Sequence, residues 1–329
     1  VEIGPGAEVD QDVVSIGGSL AGGACVRELQ RRGIDAVAFD RDPFPRERVC
    51  GGFLSPGAVD LLDELGTLGE LRAAGAADVR SSRVRLRDVD VRVSLPRPGL
   101  GISRKALDGV IANHAGVEHG TVRDVHGSGD AFRVRVDDAD VVARVVIDAA
   151  GKLSRFAAHR AASEFGVQFY QPETRGDVLD FWFFEDGYGG AVTVEGGRSN
   201  ACFLVQKEAL PRYLNRADCR VTGPVAYVKT TSEFIAVGDA AGMVDPFCGE
   251  GIRHALDTGM LAARVVAAGL ARGSPYDSMR ETYQREADHR WRRKRRLGRE
   301  LRGLLKYPRI AAAGFRVNPE YWFGKLGED

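Results

Sequence analysis

Two glycines near the start of the chain have the spacing of a turn that binds phosphate. Gly17 and Gly22 occupy the outer positions of a G-x-G-x-x-G pattern, and Ser19 stands at its middle position. The helix that follows such a turn presents free N–H groups and a positive dipole end to a phosphate. Ser19 is small and adds a hydroxyl donor. The same residues also fit a strand–turn–helix whose glycines serve packing alone.

An aspartate further along favours the binding interpretation. Asp40 ends the next predicted strand, 23 residues after Gly17. That is close to the offset of about 20 residues at which an acid accepts the ribose hydroxyls of a dinucleotide. A carboxylate there also argues against a 2′-phosphate. The pair therefore favours an adenosine diphosphate group without that phosphate, with a solvated acid at the end of a strand as the alternative.

A second anchor lies more than 200 residues further on, in VGDAAGMVDPFCGEGIRHALDTG, residues 237–259. A buried strand ends here in Gly238 and Asp239, and burial of Asp239 would be costly without a polar partner. Gly249 and Gly251 free the backbone just before a helix N-terminus, which predicts a second anion site. Two such sites in one chain indicate a long cofactor that contacts both.

The composition argues against several classes of protein. The chain has 46 basic and 46 acidic residues, so no overall field attracts nucleic acid or an anionic membrane. Its five cysteines lack metal-ligand spacing, which predicts no metal site and reduced thiols in a cytoplasmic protein. No apolar run approaches the ~18 residues that a membrane span needs. Residues 1–12 lack the basic and apolar parts of a signal peptide.

The elements that must position these residues show two patterns of apolar and polar residues. Strand, helix and strand between Asp12 and Asp40 predict a βαβ unit. Alternation of apolar and polar residues at 79–96 and 165–205 predicts antiparallel strands with one wet face. Further helices are predicted at Pro56–Gly66, Ser103–Gly116 and about Ile252–Leu270, and a strand meander at 120–151.

The sequence therefore predicts an α/β fold in which a β-sheet substrate domain interrupts a Rossmann-like domain. A helical tail follows. The predicted boundaries are residues 1–78, 99–164 and 223–275 for the Rossmann-like domain, 79–98 and 165–222 for the sheet domain, and 276–329 for the tail.

The ordered motifs resemble those of the FAD-dependent oxidoreductases of the aromatic-hydroxylase and geranylgeranyl-reductase superfamily. The stretch RVCGGFLSPGAVDLLDELG, Arg48 to Gly66, is most similar to the reductase-like subgroup. The resemblance covers roughly Asp12 to Leu270 and implies FAD as the cofactor. It implies these FAD-binding residues: Gly17, Ser19, Leu20, Ala21 and Gly22 at the pyrophosphate, Asp40 and Arg41 at the adenosine ribose, Arg48, Cys50 and Gly51 along the cofactor, Arg104 at the phosphates or ribityl chain, Val122 at the adenine, Gly238 and Asp239 at the ribityl or pyrophosphate, and Gly249, Gly251 and Ile252 at the flavin pyrimidine.

One motif departs from the family pattern. IDAAGKLS, residues 147–154, matches the family's D-G motif, but Ala150 stands where an aspartate is common. In the hydroxylases this motif is linked to both FAD and the nicotinamide donor. The departure weakens the case for direct reduction by NAD(P)H. The predicted external electron donor is therefore either NAD(P)H or a separate reductase.

The resemblance also implies candidate catalytic and substrate-lining residues. Cys50 and Cys248 lie in loops that it places at the flavin, where they form a reactive pair or simply fill tight loops. Glu250 and His254 are candidate proton donors, with a solvated helix surface as the alternative for the histidine. A predicted strand pair carries aromatic side chains that would either line the site of an apolar substrate or belong to the core of the sheet. These are Phe181, Phe183 and Tyr188.

The implied function is hydride transfer between flavin and a carbon of an apolar or aromatic small molecule, as in a reductase or dehydrogenase. The alternative is a monooxygenase that hydroxylates an aromatic ring through a flavin hydroperoxide. A halogenase is disfavoured because no W-x-W-x-I-P motif is present, and a purely structural FAD is the non-enzymatic alternative. The basic run Arg290–Ile310 predicts either a solvated helix face or a weak contact with a membrane or carrier protein.

Overall fold

Two β-sheets and seven helices make up the part of the chain that a computed structural model describes, residues 8–129, 131–157, 163–225 and 232–305. The helices are α1 Leu20–Arg31, α2 Pro56–Glu64, α3 Leu68–Ala73, α4 Arg104–Ala115, α5 Pro211–Leu214, α6 Gly251–Ala271 and α7 Tyr276–Leu305. The strands are β1 Gln11–Ile16, β2 Ala36–Asp40, β3 Phe53–Leu54, β4 Ala77–Leu86, β5 Val89–Gly101, β6 Glu118–His119, β7 Val122–Ser128, β8 Ala131–Val136, β9 Ala139–Asp148, β10 Glu164–Gln171, β11 Val178–Phe184, β12 Gly187–Thr193, β13 Ser199–Gln206, β14 Arg220–Val225 and β15 Ile235–Ala236.

The first sheet has a parallel core in the order β6-β2-β1-β9-β15, and β8 and β7 extend it antiparallel from β9. Its central strands read as continuous apolar runs because helices cover both faces of a parallel sheet. Val13 and Val14 of β1, for example, are fully buried. All carboxyl ends of the parallel strands point to one edge, where α1 and the loop after β15 begin. The predicted α/β class and βαβ unit are confirmed.

Close contact between α1 and α6 brings the two glycine-rich segments together. Gly259 lies so near the start of α1 that a Cβ atom there would stand 2.2 Å from the carbonyl oxygen of Ala21. No other residue type permits this approach. Two segments more than 200 residues apart in sequence therefore share one packing contact beside the sheet edge.

The second sheet has eight strands in the order β14-β10-β13-β12-β11-β4-β5-β3. Its neighbours pair antiparallel except β4 and β11, which run parallel. Side chains alternate between its two faces, so Phe181 and Phe183 share one face while Trp182 and Phe184 share the other. The alternation of apolar and polar residues at 79–96 and at 165–205 thus arises from a single sheet.

Local signals placed most element ends within a few residues. Ser103 accepts a hydrogen bond from the Ala106 amide and caps α4, and Gly116 ends that helix in the left-handed conformation. The sequence missed β3, because two residues carry no periodicity. The predicted domain boundaries remain a prediction. Residues 306–329 of the predicted tail lie outside the described part of the chain.

Helix α7 is anchored by tyrosines that reach into the first sheet. The Tyr276 hydroxyl accepts from the Ile235 amide at 2.9 Å and donates to the Val146 carbonyl at 3.0 Å, so it joins β15 to β9. The Tyr283 hydroxyl donates to the Ala236 carbonyl at 2.8 Å. Across the described ranges, neither this helix nor any other is both long and apolar enough to cross a bilayer.

We expect Tyr276→Phe to lower the free energy of unfolding by about 1–3 kcal/mol, because it leaves a buried amide and carbonyl without a partner. Urea unfolding followed by circular dichroism measures the loss. Tyr213→Phe is the matched control, since Tyr213 is half-buried on α5 and none of the described hydrogen bonds involves its hydroxyl. Equal losses in the two variants would contradict the anchoring role.

Candidate active site

The turn between β1 and α1 is built for close backbone contact. Gly17 has a φ of +102°, and a Cβ atom there would lie 2.6 Å from the Ala149 carbonyl oxygen. A Cβ atom at Gly22 would lie 1.9 Å from the carbonyl oxygen of Gly17. Leu20 and Ala21 are buried in the core, so they can offer only backbone groups to a ligand. The turn leaves the first amides of α1 directed at the sheet edge, as the sequence predicts.

Asp40 is held at the end of β2 by partners on two segments, the glycine turn and the loop that follows β2. Its carboxylate accepts from the Gly18 amide at 3.0 Å and from Arg46 at 2.9 Å. Burial opposes ionisation, but these bonds outweigh it and lower the pKa of Asp40. Arg46 was missed in the sequence because nothing in its spacing connects it to Asp40. Arg41 instead points outward, with 73% of its side chain exposed.

The position predicted for an adenine contact lies near the same end of β2. The Gly120 amide donates to the Asp40 carbonyl at 2.9 Å, and Val122 follows two residues later at the start of β7. The chain therefore brings the Val122 backbone to the neighbourhood of Asp40. Its contact with a nucleotide remains a prediction.

Arg104 joins α4 to the glycine turn. Its guanidinium donates to Asp108 at 2.9 Å and to the Ser19 hydroxyl at 2.9 Å. Burial alone would lower the pKa of Arg104, but the Asp108 carboxylate, which is fully buried, and the Cys50 thiol raise it. The sequence identified Arg104 but missed Asp108, although the i, i+4 spacing of the two on one helix is a usable signal.

Cations gather around Asp239 at the sheet edge. Its carboxylate has no hydrogen bond to any described residue, and burial raises its pKa against the opposing effect of Arg104, Lys152 and Arg48. Burial likewise lowers the pKa of Lys152 and of Arg48. Lys152, whose ammonium group contacts the Thr222 hydroxyl, was missed because it lies in a motif considered only for its aspartate.

The loop before α6 is ordered by Asp245. One oxygen of its carboxylate accepts from the Tyr188 hydroxyl at 2.8 Å and from the Phe247 amide at 3.0 Å, and the other accepts from Arg302 at 3.1 Å. Gly249 then takes the left-handed conformation, and α6 begins at Gly251. A Cβ atom on Gly251 or on Gly51 would meet nothing within 4 Å. Both backbones therefore border open space, while Ile252 is buried.

Two predicted proton donors, Glu250 and His254, are covered by α7. Glu250 accepts from Lys294 at 3.0 Å and from Ser55 at 3.1 Å, so both carboxylate oxygens are occupied. His254 is fully buried with its ring 4.7 Å from that of Trp291. Burial and the nearby Arg295 lower the pKa of His254 to about 3. We therefore assign both residues to positioning the loop rather than to proton transfer.

The structure places the two candidate cysteines in separate packing clusters. Cys248 is buried beside Val244 and Trp291, and burial raises the pKa of its thiol to about 12. Cys50 is half-buried, accepts a hydrogen bond from the Gly52 amide at 3.5 Å and lies within electrostatic reach of Arg104 and Cys202. All five cysteines are free. Pairing of Cys50 with Cys248 therefore has no support in the geometry.

The candidate substrate-lining aromatics form one wall. Phe183 lies 6.1 Å from the Tyr188 ring and 5.5 Å from the Phe247 ring, measured between centroids. Phe181 packs with Leu179 and Val192 on the same face of the second sheet. Tyr188 is buried, whereas Phe181 and Phe183 are half-buried. This aromatic wall, Phe181, Phe183 and Tyr188, thus adjoins the loop that precedes α6.

Comparison with known proteins shows similarity to flavin enzymes and to lipid and quinone reductases. The chain is 27% identical over 350 residues to digeranylgeranylglycerophospholipid reductase 2 of Methanothermobacter thermautotrophicus, covering 91% of this chain and 87% of that protein. It is 28% identical to menaquinone reductase of Mycolicibacterium smegmatis, covering 78% and 76%. The solved structure of the flavin-dependent brominase Bmp2 shares the fold with a TM-score of 0.77 at 19% identity, covering 96% and 93%. No family model matches the chain.

The relatives confirm the resemblance to the FAD-dependent oxidoreductases of the aromatic-hydroxylase and geranylgeranyl-reductase superfamily. The chain is an enzyme of that class, and its cofactor is FAD. Two reductases are similar to the chain in sequence and a brominase shares its fold, so these likenesses do not define the reaction.

The described residues fit FAD in two independent respects. A Cβ atom at Gly17 or Gly22 would collide with the protein's own backbone, so these two glycines allow the tight turn and the close helix–strand packing that a dinucleotide-binding turn requires. Asp239 retains free acceptor capacity among three cations, which suits a hydroxyl-bearing chain next to a diphosphate. The residue-by-residue contacts with FAD remain predictions.

We expect Asp239→Ala to weaken FAD binding by about 10- to 100-fold while the apo-protein remains as stable, because the carboxylate supports no described hydrogen bond in the fold. Titration of apo-protein with FAD, followed by quenching of flavin fluorescence, measures the change. Asp42→Ala removes a carboxylate that is 51% exposed and serves as the control. Unchanged affinity in the Asp239 variant would contradict the assignment.

The buried His254 predicts a pH-dependent stability. The unfolded chain protonates this histidine near pH 6.5, whereas the folded protein does not until about pH 3. Stability is therefore complete above pH 6.5 and falls as the pH drops below it. Between pH 8 and pH 5, wild type should lose about 2 kcal/mol more than His254→Phe. Parallel losses in the two proteins, measured by urea unfolding, would refute the buried neutral state.

Proposed function

We propose that the protein is an FAD-dependent reductase of carbon–carbon double bonds in an apolar, isoprenoid-type lipid. The observation that carries this proposal is the half-buried aromatic wall beside a loop that borders open space. The two relatives are named for reduction of a geranylgeranyl phospholipid and of menaquinone, and each likeness spans at least three-quarters of both proteins. Both substrates are lipids with long apolar chains, which supports the substrate class.

The residues that would hold FAD follow from the geometry. We assign the pyrophosphate to the turn from Gly17 to Gly22 and the adenosine ribose to Asp40. Arg48, Arg104 and Lys152 would balance the negative charge of the diphosphate. The amides of Gly249, Gly251 and Ile252 would donate to the flavin pyrimidine. When bound and reduced by an external electron donor, FAD would supply the hydride that reaches a substrate carbon and would return to its oxidised form.

The remaining tasks fall to this chain's own side chains. Phe181 and Phe183 would exclude water and orient an apolar chain by contact with their rings. Four residues were predicted to be catalytic. Among them, Cys50 is the one that is half-buried and that α7 does not cover. Its thiol accepts a hydrogen bond from the Gly52 amide at 3.5 Å and lies within electrostatic reach of Arg104. We assign Cys50 as the group that holds the proton delivered to the second carbon.

Hydroxylation of an aromatic substrate is the second candidate, favoured by the cluster of tilted and edge-on rings of Phe183, Tyr188 and Phe247, which would suit a flat ring as well as a chain. The brominase fold likeness is equally compatible with chemistry that uses oxygen. Oxygen is therefore the co-reactant whose requirement separates the two candidates.

The test is turnover under strictly anaerobic conditions, with FAD reduced by dithionite and a geranylgeranyl lipid as substrate. We expect a product that has gained two hydrogen atoms per double bond. A product that forms only with oxygen, and that carries an added oxygen atom, would overturn the reductase assignment in favour of the monooxygenase.

The aromatic wall provides a matched pair of variants. Phe183→Ala should raise KM for the lipid roughly tenfold, because it removes ring contact with an apolar chain. Phe184→Ala changes the next residue of the same strand, on the opposite face and 37% exposed, and should leave KM unchanged. Equal effects would mean that this wall does not contact the substrate.

A further inference from the structure

The exposed side of α7 carries a line of basic side chains. Arg285, His289, Arg292, Arg296 and Arg299 follow one another at steps of three and four residues, and all are exposed. At 3.6 residues per turn this spacing keeps them within one narrow strip, about 21 Å long from first to last. We call these five residues the basic stripe.

The stripe lies opposite the face of α7 that packs on the protein. Tyr283, Trp291, Lys294 and Gly298 are buried. They face the first sheet, α6 and the loop before α6, where Lys294 bonds Glu250. The helix therefore has one side fixed to the candidate active site and the other directed at solvent. A surface that binds the stripe would come within one helix diameter of the active-site loop.

Most of the charge in the stripe is unbalanced among the described residues. Arg285, His289 and Arg292 have no ion pair there, and Arg299 donates only to the Arg295 carbonyl. Arg296 pairs with Glu300, but both side chains are largely exposed, at 75% and 58%. Exposed ion pairs of this kind are screened by solvent and have a weak interaction energy. The stripe therefore keeps a local positive field, although the whole chain has no net charge.

We propose that the basic stripe docks the protein on a bilayer that contains anionic lipid. The stripe is a straight line of charges without a pocket, and it has no aromatic side chain on which a nucleobase could stack. A bilayer presents a plane of mobile anionic headgroups that such a line meets along its whole length. This choice rests on the proposed function, because a long-chain lipid substrate lies in a membrane.

Vesicle sedimentation tests the proposal with the full, FAD-loaded protein. Vesicles of phosphatidylcholine alone are compared with vesicles that also contain phosphatidylglycerol, at low and high salt. The variant is Arg285→Gln with Arg292→Gln and Arg299→Gln. The matched control removes three exposed arginines outside α7, at Arg80, Arg87 and Arg123.

Wild type and the control should bind the anionic vesicles, with binding lost at high salt. The stripe variant should bind about a hundredfold more weakly, from roughly fivefold per arginine. Both variants should retain the flavin spectrum and turnover of a short-chain substrate in detergent, so failure of the proposed function would appear in that assay alone. Should the triple variant not fold, the single Arg292→Gln variant should still bind about fivefold more weakly.

Three outcomes would overturn the proposal. The first is equal binding to neutral and anionic vesicles, and the second is equal loss in the stripe variant and its control. The third is binding of wild type to a heparin column but not to anionic vesicles, which would indicate an acidic macromolecule rather than a membrane as the partner.

Discussion

The buried ion pair between Arg104 and Asp108 is the contact on which the candidate site depends. Asp108 is fully buried, and a carboxylate in that position is tolerated only with a charged, hydrogen-bonded partner. Arg104 supplies that partner, donates to the Ser19 hydroxyl and lies within electrostatic reach of Cys50. One guanidinium therefore ties α4 to the glycine turn and to the loop that carries Cys50. These segments hold the geometry of the cofactor cleft through a single charge.

A second set of polar contacts fixes the other side of the cleft from α7. One face of that helix presents Trp291 to Asp257, Lys294 to Glu250 and, two turns further on, Arg302 to Asp245. Each of these acids lies in α6 or just before it. This pattern explains why Glu250, which the sequence suggests as a proton donor, is instead engaged in contacts with α7. It also explains how α7 can be strongly basic and still pack closely, since its inward cations meet buried acids.

Much of the fold and part of the site could be predicted from local sequence. The glycine turn, the cap at Ser103 and the period-two strands all act within a few residues, so their signals are present in the chain itself. Asp40 and Arg104 were identified because the motif order is specific. Arg46, Lys152 and Asp108 were missed, because their importance arises from what lies beside them in space. The interpretation of Cys50 and Cys248 as a reactive pair remains a prediction, since it too depends on which residues lie beside each thiol in space.

The sequence by itself determined the class of fold and the kind of ligand, because strand and helix periodicities and the close approach of glycine backbone are properties of neighbouring residues. Only the tertiary structure decided which charges meet. Whether Glu250 and His254 are free or covered depends on α7, which begins more than 20 residues later in the chain. Burial and pairing of charge are set by long-range contacts, and these determine which of the polar residues near the cleft remain available for chemistry.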